Sequence, residues 1–123
     1  MKIGIIASCN VSYDESIIDF IKNCFLINKT YDKFVLSDNI NMKFIHENFI
    51  KKLNLREVLL TPDYAQYGEN ANSILNSNII AKSDKCIILW DGEYQNDIDL
   101  CEELQKSYFA LNINNNEIIN EIY

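Results

Sequence analysis

Short apolar runs that alternate with helical patterns constrain this chain more than any other feature. Residues 2–8, 33–37, 56–61 and 86–90 are rich in Ile, Val, Leu and Phe. They have the length of strands, and the first reads as a strand buried on both faces. Between them the apolar period changes from continuous to helical. Ser12-Tyr-Asp-Glu15 fits a capping box with Ser12 as N-cap, and Ile17, Ile18, Ile21, Phe25 and Leu26 follow at helical spacing. Residues 41–53 repeat the pattern with Phe44, Ile45, Phe49 and Leu53. Residues 70–82 and 97–106 read as two further helices, the second presenting Ile98 and Cys101. Pro62 ends the third run.

Strand and helix in this order imply right-handed crossover units and a parallel sheet covered on both faces. The expected fold is α/β, a Rossmann-like three-layer α/β/α sandwich with four or five mostly parallel strands. Residues 1–113 form the expected single domain, with 108–113 as an edge strand. Residues 114–123 read as a polar tail or a short terminal helix. At 123 residues the chain can bury one substantial core.

Charge and cysteine usage exclude several functions. Acidic residues outnumber basic ones 18 to 11, a net charge of −7, which argues against duplex nucleic acid as partner. Lys51, Lys52 and Arg56 read as a solvated helix end. Cys24, Cys86 and Cys101 lie among apolar neighbours and read as buried thiols. Cys9 falls at a strand end with no basic neighbour to activate it. The single His46 offers no zinc pair and reads as a packing or surface residue. No apolar run approaches the roughly 20 residues that cross a membrane, and the first residues do not read as a signal peptide. A cytoplasmic location is expected. The abundant Asn and Ile read as a bias of genome composition, not as function.

One stretch carries a resemblance. Pro62, Asp63, Tyr64, Tyr67, Gly68, Ala71, Asn76, Ile79, Asp84, Trp90, Asp91 and Gly92 fall in register with the YspA-like branch of the SLOG superfamily. The match covers about a third of the chain clearly, and strand order extends it to nearly all. The resemblance implies a Rossmann-like domain that binds a nucleotide-related small molecule in bacterial or phage conflict signalling, with no catalysis and no resident cofactor. The departures fall on the family's presumed ligand pocket. Where the family has Gly-Ser-Arg this chain has Ala7-Ser8-Cys9, and where it has Gly-Gly-Ala this chain has Asp38-Asn39-Ile40. The glycine and arginine before Asn76 are Asn72 and Leu75. Glycines let backbone N–H groups approach a phosphate at a helix N-terminus. Their loss, with Asp91, Glu93, Asp97 and Asp99 at the turn, predicts weak or absent phosphate binding and a ligand that is neutral, cationic or metal-bridged.

The expected ligand-contacting set is Ser8, Cys9, Ser37, Asp63, Tyr64, Tyr67, Asn76, Trp90, Asp91, Gly92 and Tyr94. Most have two readings. Trp90 and Asp91 are either a packed Trp with a turn-capping Asp or the edge of a pocket. Tyr64, Tyr67 and Tyr94 stack a base or form a protein interface, and a homodimer is expected by the second reading. Asp63 bonds a ribose hydroxyl or simply caps a turn. Asn76 holds the loop after the fourth strand. A magnesium site at Asp91, Glu93 and Asp97 competes with plain helix capping. A nucleoside deoxyribosyltransferase-like enzyme would need Asp99 or Glu102 as nucleophile, without that family's Asp-Ser-Gly turn.

Overall fold

The computed structural model describes residues 1–24 and 32–123, so Phe25 and Leu26 on the first helical face lie outside the described residues. Among the described residues six strands form one sheet: β1 (Lys2–Ala7), β2 (Lys33–Ser37), β3 (Arg56–Leu60), β4 (Lys85–Trp90), β5 (Ser107–Asn112) and β6 (Ile118–Glu121). Their order is β3-β2-β1-β4-β5-β6. All pairs are parallel except β5 with β6. The expected α/β fold is therefore present, with one strand more than expected.

Alternate residues on each strand feed opposite cores. Ile3, Ile5, Phe34 and Leu36 face one layer, shared with Ile17, Ile18 and Ile21 of α1 (Glu15–Cys24). Ile6, Val35 and Ile88 face the other, shared with Leu75, Ile79 and Ile80 of α4 (Ala71–Lys82) and Ile98 and Cys101 of α5 (Asn96–Glu103). Burial on both faces explains why the central strands read as continuous apolar runs. Gly4 on β1 is required by α4: a Cβ there would meet Ser83 Oγ at 2.6 Å and Ile79 Cγ2 at 2.9 Å.

Three local expectations are corrected. The first helix begins at Glu15, and its cap is Asp14 in place of Ser12. Asp14 Oδ1 accepts from the Ser16 backbone N–H at 2.9 Å and from Ser16 Oγ at 2.8 Å, the N2 contact of an N-cap. Those hydrogen bonds hold the Asp14 carboxyl below its ordinary value.

The second helical region, α2, is composite. A 3₁₀ turn (Ile40–Met42) leads into one α turn (Lys43–Ile45) and a π-helical stretch (His46–Lys51). The wide turn buries both Phe49 and Ile50, and the segment ends at Asn54, whose φ of 52° is a left-handed stop. His46 Nδ1 lies 2.6 Å from Glu57 Oε2 on β3, so this histidine pins α2 to the sheet edge.

Residues 114–123 are neither tail nor helix. Asn112 Oδ1 accepts from Asn114 N–H at 3.0 Å, and Asn116 N–H donates to the Asn112 carbonyl at 2.8 Å. Asn116 has φ 61°. This asparagine-built turn returns the chain as β6, antiparallel to β5 from Ile118↔Leu111 to Glu121↔Tyr108. The expected edge strand is thus an inner one. Asparagine side chains mimic turn hydrogen bonds and tolerate positive φ, which turns a polar run into a hairpin.

Candidate functional site

The chain reverses direction across the sheet between β1 and β4. In an open α/β sheet that switch point opens a crevice at the carboxyl ends of the strands. A cleft of about 570 Å³ occupies this place, open to solvent. Its floor is the end of β1, through Ala7, Ser8 and Cys9, with Ser37 from the end of β2. Asn72, Ser73 and Asn76 of α4 form one wall, and Asp91 and Tyr94 of the loop after β4 close the far side.

Of the expected set, Ser8, Cys9, Ser37, Asn76, Asp91 and Tyr94 are brought together there. The others are placed differently. Asp63 caps the short helix α3 (Tyr64–Tyr67), accepting from Gln66 N–H at 3.1 Å. Tyr64 reaches the cleft only indirectly, its hydroxyl donating to Asn72 Oδ1 at 3.2 Å. Tyr67 is 40% exposed and does not line the cleft. Trp90 is buried beneath α4 and α5, because the side-chain alternation of β4 sends it to that layer. Gly92 makes the turn, with φ +88°. A Cβ on it would meet Asn112 Nδ2 at 2.5 Å.

The residues that sequence reasoning passed over are asparagines. Asn10, Asn39, Asn41, Asn70 and Asn72 join Asn76 in lining the cleft. Asn39 Nδ2 donates to Asn72 Oδ1 at 2.6 Å, and Asn39 Oδ1 accepts from Asn41 N–H at 2.9 Å. Asn41 Nδ2 in turn donates to Asn10 Oδ1 at 3.1 Å. Ser37 Oγ supports the chain by accepting from Asn39 N–H at 3.0 Å. The amides therefore form a connected band from β1 through the loop after β2 to α4. One signal was available in the sequence: Asn10, Asn39 and Asn72 all fall at strand ends or helix starts.

No family model, curated protein or solved structure matches this chain. The cleft's chemistry is therefore read from its own groups.

Charges in the cleft are few and of one sign. Glu69 and Asp91 line it, and among the described residues no Lys, Arg or His does. Asp91 is committed to its turn, with Oδ1 accepting from Glu93 N–H at 2.9 Å and Tyr94 N–H at 3.2 Å. These bonds hold its carboxyl below the ordinary value. Cys9 is pushed up to about 11 by burial and by the charge of Asp91. At neutral pH it is a thiol, which is a poor nucleophile.

Behind the cleft, Asp97 is 3% exposed and raised to about 6 by burial, against a hydrogen bond from Asn76 that lowers it. Asp91 bonds its own turn while Asp97 points inward, and no group of three potential ligands is set to hold a metal among the described residues. Glu102 accepts from the Tyr108 hydroxyl at 2.8 Å. Neither Glu102 nor Asp99 lines the cleft.

Cys24, Cys86 and Cys101 are buried free thiols. No helix among the described residues is long and apolar enough to cross a membrane.

Proposed function

We propose that this chain is a non-catalytic binding domain whose switch-point cleft takes a neutral or cationic ligand of the nucleoside class. One observation carries the reading: the cleft is lined by six asparagines and three serines, Ser8, Ser37 and Ser73, with no basic side chain among the described residues. Amides and hydroxyls offer both donors and acceptors, which suits a base edge and a ribose. Phosphate recognition depends on cations or on bare N–H groups at a glycine turn, and Glu69 and Asp91 repel an anion.

The resemblance to the SLOG superfamily supports the same place with altered chemistry. Asn39 and Asn72 stand where that family has glycine, and here they bond each other. Replacing two glycines by a closed amide pair fills the approach that a phosphate would use. An origin in bacterial or phage conflict signalling follows from the resemblance alone.

The test is mass spectrometry of small molecules released when the purified protein is denatured. A neutral or cationic nucleoside-class compound supports the reading, and a stoichiometric phosphorylated nucleotide opposes it.

A second reading rests on a separate observation. Ile118 and Ile119 of the outer strand, and Ile122 and Tyr123 just beyond it, are exposed by 57%, 37%, 74% and 55%, the composition of an edge that pairs. This favours self-association, and light scattering coupled to size exclusion measures it.

A further inference from the structure

β6 ends the sheet, and among the described residues no strand pairs with its far side. Its pairing with β5 fixes which backbone groups face outward. Asn112 N–H donates to the Glu117 carbonyl at 2.9 Å, and Tyr123 N–H donates to Ser107 Oγ at 3.0 Å. Backbone groups alternate in direction along an antiparallel strand. Residues 117, 119, 121 and 123 therefore address β5, and Ile118, Asn120 and Ile122 turn their N–H and C=O groups away from the sheet. Side chains alternate between faces as well. Ile118 lies opposite Leu111, which belongs to the α1 layer, and Asn120 and Ile122 share that face. Ile119 and Glu121 lie opposite Ala110 and Tyr108, which belong to the α4 and α5 layer, and Tyr123 shares that face. Edge strands commonly carry Lys or Pro that block further pairing. Residues 117–123 contain no Lys, Arg or Pro.

We propose that this edge pairs with β6 of a second copy of the chain, antiparallel about a two-fold axis at Asn120, joining the two sheets into one. The proposal rests on the self-association reading above, and it names the partner and the register. The run Glu117-Ile-Ile-Asn-Glu-Ile-Tyr123 selects its own copy. With the axis at Asn120, Ile118 faces Ile122 of the second copy, and the two Asn120 amides meet between these apolar pairs. On the other face Ile119 is opposite Glu121 of the second copy, and Glu117 is opposite its Tyr123. No carboxylate faces another.

The neighbouring registers fail on charge or on length. Outward-facing residues must meet outward-facing residues, so the axis moves only in whole-residue steps. An axis at Ile119 sets Glu117 against Glu121 of the second copy, and an axis at Glu121 sets the two Glu121 side chains against each other. Like charges directly opposite are destabilising. An axis at Ile118 runs the pairing into the asparagine turn, and an axis at Ile122 moves residues 118–121 off their own copy. A two-fold contact uses the same strand from both chains, so assembly through it closes at two.

Sedimentation equilibrium of the full chain across a concentration series should show a monomer–dimer equilibrium. A monomer at every concentration overturns self-association and this proposal together. Cross-linking then reads the register alone. Asn120→Cys should give a covalent dimer under copper–phenanthroline oxidation, because facing Cα atoms of such a pair lie about 5.5 Å apart, within disulfide reach. Ile118→Cys should stay at the wild-type background, its two copies being roughly 14 Å apart. Cross-linking at 118 and not at 120 would leave self-association standing and overturn the register. Charge gives a second measure. Ile118→Lys sets an ammonium against an isoleucine and should weaken the dimer at least about tenfold. Ile119→Lys sets one against Glu121 of the second copy and should leave the dimer as tight or tighter. Equal weakening by both overturns the register. Should Ile118→Lys fail to fold, cross-linking at 120 decides.

Discussion

Asn39 Nδ2 donates to Asn72 Oδ1 at 2.6 Å, joining the loop after β2 to the first turn of α4. The two residues lie 33 positions apart and meet at the mouth of the switch-point cleft. Asn72 Oδ1 also accepts from the Tyr64 hydroxyl, so one amide oxygen gathers two donors. The pair ties the rim of the cleft together.

This bridge should be measurable as a coupling. Asn39→Ala and Asn72→Ala should each destabilise the fold by about 1 kcal/mol, and the double variant should cost less than the sum by about 0.5–1 kcal/mol. Urea denaturation of the four proteins gives the cycle, and strict additivity would show that the bridge carries no energy.

Stability should depend on pH through Asp97. Its folded value, about 6, is above the ordinary 3.8, so the native state holds a proton that the unfolded chain releases. The stabilisation is fully present below about pH 3.8 and is lost as pH rises through about 6. The full difference corresponds to roughly 3 kcal/mol. Asp97→Asn should therefore be more stable than wild type at pH 7, by up to that order. The gain should shrink towards pH 4, as read by chemical denaturation at each pH.

Gly92 should resist substitution. Its φ of +88° and the 2.5 Å approach of Asn112 Nδ2 act together on any side chain placed there. Gly92→Ala should cost about 1–3 kcal/mol and disturb the Asp91 turn beside the cleft, seen as a lower melting temperature. A neutral outcome would mean that the turn relaxes freely.

Removal of residues 114–123 should do more than trim a tail. It strips β6 from β5 and leaves Tyr108, Ala110 and Leu111 beside an open edge. The shortened chain should lose stability and self-associate, which denaturation and light scattering would register. Unchanged behaviour would show that β6 is dispensable.

The fold was legible where burial on both faces dictates composition. Residues such as Ile3, Ile5, Ile87 and Leu89 sit at almost no exposure, and only a central parallel strand requires that. β6 was not legible, because its signal is two isoleucines after an asparagine run and an edge strand needs no apolar face. α2 hid its π-helical stretch because the wide turn serves packing of Phe49 and Ile50, which a 3.6-residue period cannot anticipate.

The cleft was half legible. Strand-end positions such as Ser8, Ser37 and Asp91 follow from topology alone. Asn10, Asn41 and Asn70 read only as composition in the sequence, since an amide's role depends on which partner another loop brings to it. Trp90 has two readings in the sequence for a related reason: which face of β4 it takes depends on the register of the strand, and it takes the packed one. Asp97 was read as one of several surface acids, and only the packing of α5 on α4 turns it inward.

The most direct measurement is calorimetric titration of a nucleoside and its own 5′-diphosphate, adenosine against ADP, under one buffer and salt. A cleft lined by amides, with no cation among the described residues, should bind the nucleoside at least about tenfold more tightly, a difference of roughly 1.4 kcal/mol. Equal or tighter binding of the diphosphate would contradict the account.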